Sequence, residues 1–165
     1  MNDMVRKHLP AFSLIEIMVV TAIISIASAI IMVQLSASRA TQYVSSAATE
    51  VEATVRGAQN FALTGAQKQP GTKPCRFRVT WEGSTYSVWY HYKDNADACT
   101  QSMQLSSRVL SDGVAFDGDG NFEFTLPHAV LGSDQQIILT KGDVSQAVCL
   151  YTSGNILSVV GSECP

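Results

Sequence analysis

One carboxylate, Glu16, sits in an apolar stretch, "AFSLIEIMVVTAIISIASAII" (residues 11–31), and that stretch constrains the whole chain. From Ile17 to Leu35 there are 19 residues without a formal charge. A helix of that length rises far enough to match a hydrocarbon core of roughly 30 Å. The preceding "MNDMVRKHLP" carries Arg6 and Lys7 against Asp3, and the next basic residue after the run is Arg39. This bias predicts a single-pass protein of the inner (cytoplasmic) membrane, with a cytoplasmic N-terminus and the remainder outside. With 165 residues in all, one further domain core is the natural complement.

An acidic side chain in the middle of such a helix costs about 2.5 to 3.5 kcal/mol, so a retained one usually has a cationic partner. None stands one helical turn away, because positions 12, 13, 19 and 20 are Phe, Ser, Val and Val. Cleavage before Phe12 would create an α-amino group four residues ahead of Glu16. An alternative is an ordinary secretory signal peptide, with Leu14 to Ile26 as its apolar core and Ala27-Ser28-Ala29 as its cleavage site. Against that, the apolar run continues through Ile30, Ile31, Met32 and Val33.

The short basic leader followed by Ala-Phe-Ser-Leu-Ile-Glu-Ile resembles the class III signal of type IV pilins and type II secretion pseudopilins, usually Gly-Phe-Thr-Leu-Ile-Glu-Leu. The resemblance implies cleavage by prepilin peptidase between Ala11 and Phe12, N-methylation of Phe12, and a role for Glu16 in assembly, paired with the N-terminal amine of a neighbouring subunit. Ala11 stands where the family most often has Gly. The partners implied are other pilin or pseudopilin subunits, prepilin peptidase, an inner-membrane assembly platform and membrane lipid. The stretch "AATEVEATVRGAQNFALTGAQ" and the closing "QQIILTKGDVSQAVCLYTSGNILSVV" resemble the H-type minor pseudopilins and related minor pilins (the GspH/FimT group). A structural subunit of a type II secretion pseudopilus or a type IV pilus is the function this implies.

Beyond the apolar run, Val44, Ala47, Ala48, Val51, Val55, Ala58 and Ala62 recur at helical spacing, with Gly65 as a stop and "KQPGTKP" breaking regular structure. From Arg76 onward the period changes to two. "RFRVTW" and "STYSVWYHY" flank Glu82-Gly83, a hairpin signal, and place Tyr86, Val88, Tyr90 and Tyr92 on one face, Ser87, Trp89 and His91 on the other. "NFEFTL", "QQIILT", "SQAVCLY" and "NILSVV" read as later strands. The expected fold class is α+β and pilin-like: a leader (1–11), a transmembrane and assembly helix (12–35), an amphipathic helix (36–64) and a disulfide-bonded antiparallel β domain (75–165).

Cys75, Cys99, Cys149 and Cys164 all follow the apolar run and allow three disulfide connectivities, sequence nearness favouring Cys75 with Cys99 and Cys149 with Cys164. Their spacings contain no C-x-x-C, so no metal is expected. Asp117, Asp119 and Asn121 alternate as in the opening of a calcium loop but lack its Gly and distal Glu, which favours a hairpin turn. His8, His91 and His128 are scattered, and neither a catalytic motif nor a phosphate loop occurs, so neither an enzyme nor a cofactor is expected. A net charge of -3 gives no general attraction to nucleic acid. A DNA-binding minor pilin for natural transformation is the rival reading, and Lys73, Arg76 and Arg78 form the one basic cluster it could use.

Overall fold

The computed structural model describes residues 13–93 and 98–165, without the side chains of 30–37. The chain divides into two compact units, Met1–Ser38 and Arg39–Pro165, and helix α1 (Leu14–Thr64) contributes to both. Among the described residues, the second unit adds eight strands: β1 (Lys73–Glu82), β2 (Thr85–Lys93), β3 (Gln101–Val109), β4 (Ala115–Phe116), β5 (Gly120–Thr125), β6 (Gln135–Lys141), β7 (Val144–Leu150) and β8 (Ile156–Val160). All pair antiparallel, in two four-stranded sheets. Sheet A has the order β3-β2-β1-β5 and sheet B the order β4-β6-β7-β8.

These elements follow from local chemistry. In the second unit, α1 buries Val44, Ala47, Ala48, Val51, Val55, Ala58 and Ala62, a stripe that small residues keep narrow enough for close approach to a sheet. The helix ends where Gly65 takes a positive φ of 59°, and the Ala66 N–H bonds back to the Phe61 carbonyl at 3.0 Å. A left-handed residue there satisfies terminal carbonyls at no steric cost to glycine. Phe77, Val79, Tyr86, Val88, Tyr90, Phe122 and Phe124 of sheet A join Ile137, Leu139, Val148 and Leu150 of sheet B and the α1 stripe in one apolar cluster. Polar bonds at the cluster's rim hold the helix to both sheets. On the sheet A side, Glu50 accepts from Tyr86 Oη at 2.8 Å and from Arg108 Nη1 at 3.0 Å. On the sheet B side, Arg56 donates to the Ile156 carbonyl and Gln59 to the Gly154 carbonyl, both at 2.9 Å. The Tyr86 and Arg108 bonds hold the Glu50 carboxyl below its ordinary range.

The expected fold class needs correction on two counts. First, the second unit is mostly β, its strands divided between two sheets, and only the Arg39–Thr64 part of α1 belongs to it. A long helix laid on one antiparallel domain does not describe this. Second, among the described residues no helix is long and apolar enough to cross a membrane, which overturns the expected transmembrane half. The same finding overturns the expected localisation as a single-pass inner-membrane protein. Within this part of α1, Glu16 places a charge in the first turn, and the hydroxyls of Thr21, Ser25 and Ser28 bond back to the carbonyls of Met18, Thr21 and Ile24 at 2.8 to 3.0 Å.

One close approach in sheet A yields a test. Gly120 pairs with Trp81, and a Cβ at residue 120 would overlap the Trp81 indole. Trp81 also packs on Phe116 and Phe122, with ring centroids 6.5 and 5.9 Å away, so it cannot yield freely. Gly120→Ala is expected to destabilise the fold by about 1 to 3 kcal/mol. A urea titration checks this, and an unchanged midpoint would show that the indole has room to move.

Candidate functional site

The site residues read from the signal-like motif divide between described and undescribed positions. Ala11 and Phe12, the expected cleavage pair, lie outside the described residues. Glu16 lies inside, in the first turn of α1. Its N–H donates to Ser13 Oγ at 3.3 Å and to the Ser13 carbonyl at 3.1 Å. Ser13 is therefore the N-cap, and Ser13-Leu14-Ile15-Glu16 has the S-x-x-E order of a capping box. Sequence reasoning missed Ser13 as the cap, although the four residues alone carry the signal.

Around Glu16 the helix presents apolar side chains on all sides. Leu14, Ile15, Ile17, Met18, Val19, Val20, Ile23, Ile24 and Ile26 are each between 46% and 79% exposed. Soluble monomers rarely leave a large contiguous apolar patch open, and such patches mark surfaces that something else covers. The Glu16 carboxylate is itself exposed within the patch. Whatever covers the patch removes water from that charge, and a desolvated carboxylate demands a cation or hydrogen-bond donors.

Comparison with known protein families, with curated proteins and with solved structures finds no match. The chemistry of the site stands on this chain's own residues.

The four cysteines form Cys75–Cys99 and Cys149–Cys164, with Cα atoms 6.3 and 5.8 Å apart. This is the pairing that sequence nearness favours. The first disulfide ties the irregularity in β1 between Pro74 and Arg76 to the segment leading into β3. The second ties buried β7 to the C-terminal tail.

The basic cluster is partly neutralised. Arg76 Nη1 lies 3.1 Å from Glu123 Oε2, while Arg78 donates through Nε at 2.6 Å and through Nη2 to Glu123 Oε1. Two guanidiniums thus share one carboxylate. Beside them, burial pushes the His91 imidazole below the ordinary histidine range, and Arg78 and Arg76 push the same way while Glu123 opposes them. The alternating acids resolve as turn chemistry. Asp119 Oδ1 accepts from the Gly83 N–H at 3.1 Å, stitching the turn before β5 to the β1–β2 hairpin. Among the described residues, no group of three or more His, Cys, Asp or Glu side chains is assembled for a metal.

Proposed function

We propose that this chain is a minor pilin or pseudopilin, a structural subunit of a type IV pilus or a type II secretion pseudopilus. In this reading it is processed by prepilin peptidase and assembled with other pilin subunits through its N-terminal helix. The observation that carries it is the exposed apolar surface from Leu14 to Ile26 with Glu16 at its start. Helices packed side by side in a filament hide such a surface from water, and the burial itself drives association. An amine on Phe12, one helical turn before Glu16, would give each buried carboxylate a cation in a neighbouring subunit. In this reading the protein turns over no substrate.

Processing is tested directly. Co-expressed with a prepilin peptidase, the chain should show by intact mass and N-terminal sequencing a first residue at Phe12, N-methylated. A retained Met1, or a start at Ile30 after Ala27-Ser28-Ala29, would sink the reading.

DNA uptake is the competitor, and the Arg76–Glu123–Arg78 arrangement counts against it. Phosphate-backbone binding needs several uncompensated cations, whereas here two share a carboxylate. Duplex DNA is expected to bind no more tightly than roughly micromolar at physiological salt. Nanomolar, salt-sensitive binding lost in an Arg76→Ala, Arg78→Ala double variant would reverse the ranking.

A further inference from the structure

The register of sheet A lays its outer face out in rows. Thr125, Arg76, His91 and Ser102 stand side by side across β5, β1, β2 and β3, and the next row is Glu123, Arg78, Trp89 and Gln104. Among the described residues, two buried side-chain polar atoms lack a hydrogen-bond partner, Arg76 Nε and His91 Nε2. Both belong to one directly opposed cross-strand pair. Opposed side chains leave the sheet about 4.5 to 5.5 Å apart at Cβ, close enough for one group to serve both.

The chemistry of the two nitrogens restricts what that group can be. A guanidinium Nε always carries its proton, so Arg76 Nε needs an acceptor. His91 is only 9% exposed, and as a neutral imidazole it offers an N–H at Nε2 in one tautomer. In that tautomer, an oxygen acceptor between them satisfies both donors. Nearby, His91 lines a cavity of about 310 Å³ with Arg78, Thr80, Trp89 and Ser102, and Arg76 adjoins it only through its cross-strand partner His91. The Trp89 indole N–H already donates to Thr80 Oγ1 at 3.3 Å, which fixes the ring as a wall of that cavity. The local charge favours an anion, because Arg76 and Arg78 together face the single carboxylate of Glu123.

We propose that the Arg76–His91 pair and the adjoining cavity bind a small oxyanion, a carboxylate or a phosphate. One ligand oxygen accepts from Arg76 Nε and His91 Nε2, and the ligand's body lies against the Trp89 ring, beside the hydroxyls of Thr80 and Ser102. Glu123 sets the affinity by competing for the same guanidiniums. This site is separate from the apolar surface of α1, and it stands or falls independently of the filament reading.

The test is an NMR titration of the full chain at constant ionic strength, with sodium acetate in one arm and inorganic phosphate in the other. The His91 ring nitrogens and the Arg76 Nε–H should shift saturably in at least one arm, with a Kd on the order of 1 mM for so small a probe. Arg76→Lys keeps the charge but removes Nε, and His91→Phe keeps the ring shape but removes both nitrogens. Each should weaken binding by about tenfold, as expected for a lost charge-assisted hydrogen bond. Glu123→Gln should instead tighten it severalfold, a direction that loss of structure cannot produce. Three results would overturn the proposal: no saturable shift in either arm, equal affinity in Arg76→Lys, or a crystal grown in acetate and phosphate showing only a bridging water at the two nitrogens.

Discussion

Reducing both disulfides is expected to bring the second unit to the edge of unfolding. Each bond works mainly by limiting the freedom of the unfolded chain, and the benefit grows slowly with loop length. Cys149–Cys164 has a sequence separation of 15 and Cys75–Cys99 one of 24, so they contribute about 3 and about 3.5 kcal/mol on the chain-entropy account. Their sum, about 6.5 kcal/mol, compares with a total of about 5 to 15 kcal/mol for an ordinary domain. Urea unfolding followed with and without a strong reductant should show the midpoint falling by roughly 2 to 4 M. The paired variant Cys75→Ser, Cys99→Ser should recover about half of that loss without reductant. It removes the linkage at the irregularity in β1 and leaves β7 untouched. A reduced protein whose midpoint moves by less than about 0.5 M would mean that the unfolded chain is already restricted by other means.

How much of this fold the chain discloses depends on how one-sided each segment is. Tyr86, Val88 and Tyr90 alternate with Ser87, Trp89 and His91, and β2 occupies that stretch because the apolar face has somewhere to go. The α1 stripe from Val44 to Ala62 is legible for the same reason, at the helical period. Strand β3, in contrast, is "QSMQLSSRV", with Met103 and Leu105 as its only apolar side chains before Val109, and it lies at a sheet edge, largely exposed. An edge strand held by backbone pairing to β2 needs no hydrophobic alternation, so the pattern that finds strands passes over it. The division into two sheets is equally invisible, because it depends on which strands meet and not on what each one contains. At the outer face of sheet A the residues were visible and their row was not. Arg76 and His91 are neighbours by register alone, and a one-residue slip would have put them on opposite faces. The apolar run misled in the other direction. Hydropathy reads it as a span, yet a surface to be covered by other helices has the same composition, and hydrophobicity alone does not distinguish the two settings.

Glu16→Gln is the substitution expected to separate the two roles that converge on this residue. In the Ser13-Leu14-Ile15-Glu16 sequence Ser13 Oγ accepts from the Glu16 backbone N–H, and a capping box takes Gln at the fourth position about as well as Glu. As the charge in an apolar helical surface, Glu16 would matter only once that surface is covered. In the proposed filament, an amine on Phe12 of one subunit would then face a neutral amide instead of a carboxylate, and an unpaired buried ammonium costs several kcal/mol. Glu16→Gln should therefore leave helix content and urea midpoint unchanged while abolishing co-purification and crosslinking with partner pilins. Glu16→Ala should fail in assembly equally and in addition lose some helix at the start of α1, since Ala offers no side-chain acceptor at the fourth position of a capping box. Glu16→Asp, which keeps the charge on a shorter stem, should retain part of the assembly. If Glu16→Gln assembles like the unaltered chain and only Glu16→Ala fails, the carboxylate works as a helix cap, and the ion-pair account of this apolar surface is wrong.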